Sequence, residues 1–174
     1  MSAVHVVLVG PMAAGKTTLG LILARMLDVD FVDSDQAVFQ LAAATAADLA
    51  SSKGVPELHR IEREVLSQSL ARAPRCVIAA AASVVDDEEI RSQLRGHACI
   101  WVEADSATLS SRRPALAHRR TLTASEAESL NAIRRQLSGE FTLARIDTSI
   151  EPVETTASVV MDVISQHLRA VEER

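Results

Sequence analysis

Gly10 and Gly15 bracket a short run that leads directly into Lys16 and Thr17, and Gly10-Pro11-Met12-Ala13-Ala14-Gly15-Lys16-Thr17 completes the pattern G-x-x-x-x-G-K-[ST]. Glycines let a loop turn tightly enough for successive backbone N–H groups to face one anion. The ammonium adds a mobile positive charge, and the neighbouring hydroxyl is a hard ligand for a divalent cation. The chemistry implied is polyphosphate binding. Gly10, Ala13, Ala14, Gly15 and Thr18 would surround the phosphates of a nucleoside triphosphate, Lys16 would reach the β- and γ-phosphates, and Thr17 would bind Mg²⁺.

A second cluster, Phe31-Val32-Asp33-Ser34-Asp35, ends an apolar stretch with two carboxylates one residue apart. At strand spacing both point the same way. One carboxylate there can hold a Mg²⁺-bound water while the other orients or deprotonates an acceptor hydroxyl. The competing role is a helix cap, which aspartate also favours. A third cluster, His118-Arg119-Arg120, lies in the stretch 112–123, which lacks periodicity and reads as a mobile loop. An arginine arriving with substrate can neutralise a transferring phosphoryl group and exclude water. A solvated basic loop would have the same sequence.

These groups need a scaffold that brings them to one edge. Residues 4–9 read as a buried parallel strand and 18–27 as an amphipathic helix, so strand, glycine loop and helix follow in the required order. Further strand-like runs cover 31–32, 76–81, 98–104 and 145–148. Helical patterns cover 36–41, 45–52, 57–71, 87–94, 106–112, 125–142 and 152–171. Alternation of this kind predicts a single α/β domain with a parallel five-stranded sheet flanked by helices. Its ligands belong beyond the carboxyl ends of the strands.

The chain has 174 residues, enough for one well-buried core, and a formal net charge of −5, which argues against nucleic acid as the main partner. Cys76 and Cys99 lie in apolar runs without metal-ligand spacing and read as buried free thiols of a reducing compartment. His5, His97 and His167 read as ordinary surface or strand positions, whereas His59 is a candidate site residue. The start lacks a basic leader, and no apolar run approaches the roughly 20 residues that span a bilayer. A cytoplasmic, monomeric protein without membrane or nucleic-acid partners is expected.

Over nearly its whole length the chain resembles the shikimate kinase family. The resemblance rests on the glycine loop, the Asp33-Ser34-Asp35 pair, Gly54-Val55-Pro56-Glu57-Leu58-His59-Arg60-Ile61-Glu62, the 112–122 segment, Arg134 and Arg145-Ile146-Asp147-Thr148. It implies a nucleoside monophosphate kinase fold and γ-phosphoryl transfer from ATP, with Mg²⁺, to a hydroxyl of a small molecule. By the same resemblance Asp33 serves the metal's water shell and Asp35 the acceptor hydroxyl. Arg112 and Pro152 contact adenine, and Arg119 is the lid arginine, with Arg120 its competitor if the register slips by one. His59, Ala80, Ala81, Ala82 and Arg134 then line the acceptor pocket.

The departures from the family fall in that pocket. His59 stands where the family has an arginine that grips shikimate's carboxylate. Ala80-Ala81-Ala82 replaces a triple glycine, and Ala50 replaces an aromatic residue. Histidine offers fewer donors than a guanidinium and is largely neutral at pH 7. Arg60, rotated by about 100° on the helix, would face elsewhere. Shikimate, another hydroxy acid or polyol as in gluconate kinases, and a non-catalytic nucleotide-binding module are therefore all carried forward.

Overall fold

In the computed structural model, which describes residues 3–112 and 123–173, five strands form one parallel sheet in the order β2-β3-β1-β4-β5. They are β1 (Val6–Val9), β2 (Asp30–Asp33), β3 (Cys76–Ala79), β4 (Ala98–Glu103) and β5 (Thr142–Asp147). The central strand β1 is wholly buried, as its unbroken Val-Val-Leu-Val run requires of a strand covered on both faces. Its register sets Val6 beside Val77 on one side and Ala98 on the other.

Alternate residues of β1 feed two cores. Val6 and Leu8 pack with Leu19 and Leu23 of α1 (Lys16–Leu27) and with Val160 and Ile164 of α8 (Val153–Glu172). Val7 and Val9 pack with Leu66 and Leu70 of α4 (Val55–Leu70), and with Ile90 and Leu94 of α5 (Glu88–Leu94). A third cluster joins Val38 of α2 (Ser34–Ala42), Leu49 of α3 (Ala46–Ser52), and Leu58, Ile61 and Val65 of α4. This satellite core positions the wall of α4 that faces the glycine loop. The remaining helices are α6 (Ser106–Arg112) and α7 (Ala124–Ser138).

Two boundaries differ from the sequence expectation by more than two residues. The helix expected over 125–142 stops at Ser138, and β5 starts at Thr142 rather than 145. Gly139 closes the helix through its N–H to the Gln136 and Leu137 carbonyls, and Phe141 then turns into the second core. Burial of one aromatic ring outweighs continued helical periodicity there. A short 3-10 segment, Ala82–Asp86, also follows β3 where nothing regular was expected.

His5 and His97 take the strand side of the surface-or-strand expectation, each standing directly before a strand. His5 is fully buried, and its Nδ1 accepts the Cys76 N–H at 3.2 Å, while its Nε2 bonds the Leu70 carbonyl at 3.1 Å. The Nδ1 of His97 accepts the His5 N–H at 3.1 Å. Burial lowers the pKa of both rings, that of His97 to about 4, so they remain neutral hydrogen-bonding struts. They lie at the start of β1 and β4, opposite the glycine loop. Cys76 and Cys99 are buried and free, and burial pushes both thiols up.

Candidate active site

Beyond the carboxyl ends of the strands lies a cleft of about 880 Å³. Its lining includes the glycine loop, Asp33, Asp35, His59, the alanine run, Arg112, Arg134 and Pro152, which the chain brings from widely separated segments.

The glycine loop is held in a shape that its sequence permits and few others would. Gly10 has φ +147°, and a Cβ there would sit 1.9 Å from the Val102 carbonyl oxygen. Gly15 has φ +90° and Ala13 φ +67°, the latter a strained left-handed alanine. Gly15 is the N-cap residue of α1 and carries no side chain to occupy the helix N-terminus. Lys16 Nζ donates to the carbonyls of Gly10 and Pro11, each at 2.8 Å. Burial lowers the Lys16 pKa to about 8, with Asp35 and Asp33 acting in the opposite direction.

Asp33 performs two tasks at once. Its Oδ1 accepts the Asp35 N–H at 2.9 Å and caps α2, while its Oδ2 accepts the Thr17 hydroxyl at 2.7 Å. The cap weighed as the alternative in the sequence is present, and the same carboxylate also lines the cleft. The strand-spacing argument for the pair does not hold, however. β2 ends at Asp33, and Asp35 lies in the first turn of α2, so the two carboxylates share the cleft through a strand-to-helix turn.

At the other end Arg112, the last residue of α6, donates to the Thr148 hydroxyl at 2.9 Å and the Thr148 carbonyl at 3.1 Å. The same hydroxyl donates to the Ala14 carbonyl at 2.9 Å. Arg112 is thus tied to the glycine loop, with Pro152, the N-cap residue of α8, lining the cleft beside it. Thr148 is absent from the sequence-based candidates, although its place at the end of Arg145-Ile146-Asp147-Thr148 was the available signal.

The opposite wall carries the departures. Ala80 is buried and donates its N–H to the Leu8 carbonyl at 2.9 Å. None of Ala80, Ala81 and Ala82 adopts positive φ, so the backbone accepts side chains there without strain. Ser83 donates a short hydrogen bond to buried Glu62. His59 faces the cleft one position before Arg60, which turns outward to Glu57 and Glu64 at 2.9 Å each. Arg60 therefore does not replace the missing arginine. Arg134, on α7, is engaged by Asp86, with Nε to Oδ1 at 2.9 Å and Nη2 to Oδ2 at 2.5 Å. Nothing in the sequence links positions 86 and 134. His118, Arg119 and Arg120, with the lid expected over 112–123, lie outside the described residues apart from its two ends.

The sequence model of the shikimate kinase family matches residues 12–165. The chain belongs to the shikimate kinase family. The shikimate kinase of Thermobifida fusca is 35% identical over 106 residues, 61% of each chain. That of Symbiobacterium thermophilum is 29% identical over 168 residues, covering 93% of this chain and 97% of the relative. The match to the first of these spans less than two thirds of the relative's length. Among solved structures, a shikimate kinase from Acinetobacter baumannii in complex with shikimate superposes with TM-score 0.85 at 24% identity, covering 96% of this chain and 94% of that one. The sheet order and glycine-loop architecture are therefore those of the shikimate kinase fold. Among the described residues no helix is long and apolar enough to cross a membrane.

Proposed function

We propose that this protein is an ATP- and Mg²⁺-dependent kinase that transfers the γ-phosphoryl group to a hydroxyl of a small molecule. The observation that carries the reading is the meeting of Lys16, Thr17, Asp33 and Asp35 in one cleft with a separate polar wall facing them. A pure nucleotide binder has no evident need for Asp35 or for that wall.

The residues fit the groups that the family implies. The glycine loop has an open helix N-terminus and a half-buried ammonium that rests on two carbonyls. Thr17 and Asp33 place a hydroxyl and a carboxylate 2.7 Å apart. No group of three or more His, Cys, Asp or Glu that could cage a metal occurs among the described residues. That suits Mg²⁺, which uses one or two protein oxygens together with water and phosphate. Bound there, it would neutralise charge on the β- and γ-phosphate oxygens. Lys16 would exchange its loop carbonyls for phosphate oxygens, and Arg112 with Pro152 would flank the base. Asp35 would align the acceptor hydroxyl and receive its proton on a carboxylate oxygen.

The Lys16 geometry gives this reading a pH signature. Phosphate binding needs the ammonium, and the free protein releases that proton near pH 8. ATP affinity should be flat below pH 8 and fall about tenfold per pH unit above it, while triphosphate ionisation is already complete. Calorimetry in buffers of different ionisation enthalpy should show uptake of about one proton per ATP at pH 9. Constant affinity from pH 7 to 9.5 would show that Lys16 keeps its proton throughout that range.

The direct test is ADP release with Mg-ATP in the presence of shikimate, gluconate, neutral polyols or nucleoside monophosphates. Saturable stimulation by one acceptor is expected. Tight nucleotide binding without stimulation by any of them would favour a nucleotide-binding module.

A further inference from the structure

Arg134 is the described guanidinium on the acceptor wall of the cleft, and Asp86 already matches its charge. Its side chain is 11% exposed and meets Asp86 in a forked pair through Nε and Nη2. That geometry is the one a guanidinium uses to grip a ligand carboxylate. Resting on the kinase reading above, we infer that Asp86 acts as a built-in stand-in for a substrate carboxylate, so that the acceptor end of the cleft takes a neutral polyhydroxy compound.

Three further observations lead the same way. His59 occupies the helix position that lines the cleft, and Arg60 is committed to Glu57 and Glu64 on the outer face. Asp35 lines the same cleft and repels a second carboxylate. An acid entering there must displace Asp86 or share with it, through Nη1, a guanidinium whose charge Asp86 already matches, and among the described residues of that wall no second guanidinium faces the cleft, which disfavours it by desolvation and repulsion. A neutral polyol meets neither cost. Ser83, His59 and Asn131 offer hydrogen-bonding groups, and Leu58, Leu130 and Ala81 offer an apolar surface for a carbon skeleton.

The experiment separates charge from shape by comparing shikimate with its methyl ester, which keeps the ring and hydroxyls. Binding of each is measured calorimetrically to the full chain saturated with Mg-ADP, in wild type and in Asp86→Asn. The amide preserves side-chain volume at a position whose side chain is 40% exposed. Unchanged ADP affinity reports that the fold is intact, and Asp86→Ser is the second variant. Asp86→Asn should raise shikimate affinity tenfold or more and change ester affinity less than twofold. Arg134→Gln added to it should abolish the gain. A gain in shikimate affinity below tenfold in both Asp86 variants overturns the inference, as does wild type binding shikimate tenfold tighter than the ester. The readout needs no turnover. Loss of the kinase reading shows separately, as ADP release that no acceptor stimulates.

Discussion

Lys16→Ala should leave a folded protein that no longer turns over ATP. The ammonium is the one positive group that the glycine loop aims at its own concavity, and its hydrogen bonds in the free protein go to the Gly10 and Pro11 carbonyls. Among the described residues its hydrogen bonds reach no other element, and its tertiary interaction is the attraction to Asp33 and Asp35. Its pKa is lowered by burial, so the folded chain already bears a cost for keeping that charge. Truncation should therefore change the melting temperature of the nucleotide-free protein little. In the triphosphate complex the same group would face charge that grows on the β–γ bridge as the bond breaks. Removing one such preorganised donor typically costs about 10²–10³ in rate, and a full positive charge belongs at or above the upper end. Acceptor-dependent ADP release should drop by about 10³ or more, with ATP affinity weakened as well. Turnover close to wild type would overturn the assignment of the whole cleft.

Local chemistry was legible where a residue's role is decided within a few positions. The glycine loop, its flanking strand and helix, and the alternation that makes the sheet parallel all rest on short-range pattern and appear in place. The end of α7 did not, because the buried ring of Phe141 outweighs the helical pattern only once β4 is there to receive β5. The burial of His5 agrees with the buried strand read over 4–9, but its hydrogen-bond partners at Leu70 and Cys76 lie far away in sequence. In the site the division is similar. His59, Ala80 and Arg134 could be placed by motif, yet the electrostatic state of Arg134 is set by Asp86, 48 residues earlier. A carboxylate four positions after an alanine run carries no sign of its partner. The 3-10 segment Ala82–Asp86 brings it there, and only the folded chain shows that.

Asp35→Asn should separate nucleotide binding from transfer. What the structure asks of residue 35 is its backbone N–H, which caps onto Asp33 Oδ1, and an amide side chain leaves that bond untouched. The carboxylate itself is exposed to the cleft and belongs to the first turn of α2, where its loss forfeits a helix-dipole interaction of only about 0.3–1 kcal/mol. Fold and ATP affinity should therefore stay within about twofold to threefold of wild type. Asparagine can still hydrogen-bond an acceptor hydroxyl, but it cannot take the proton. General-base assistance is worth about 10²–10⁴, so the acceptor-stimulated rate should fall by that factor while KM for the acceptor changes little. Asp33→Asn makes the contrast, because Asp33 both caps α2 and receives the Thr17 hydroxyl. That variant should lose stability and Mg-ATP affinity together. Parallel loss of ATP affinity and turnover in Asp35→Asn would place residue 35 with the nucleotide, and undiminished turnover would leave proton transfer to another group.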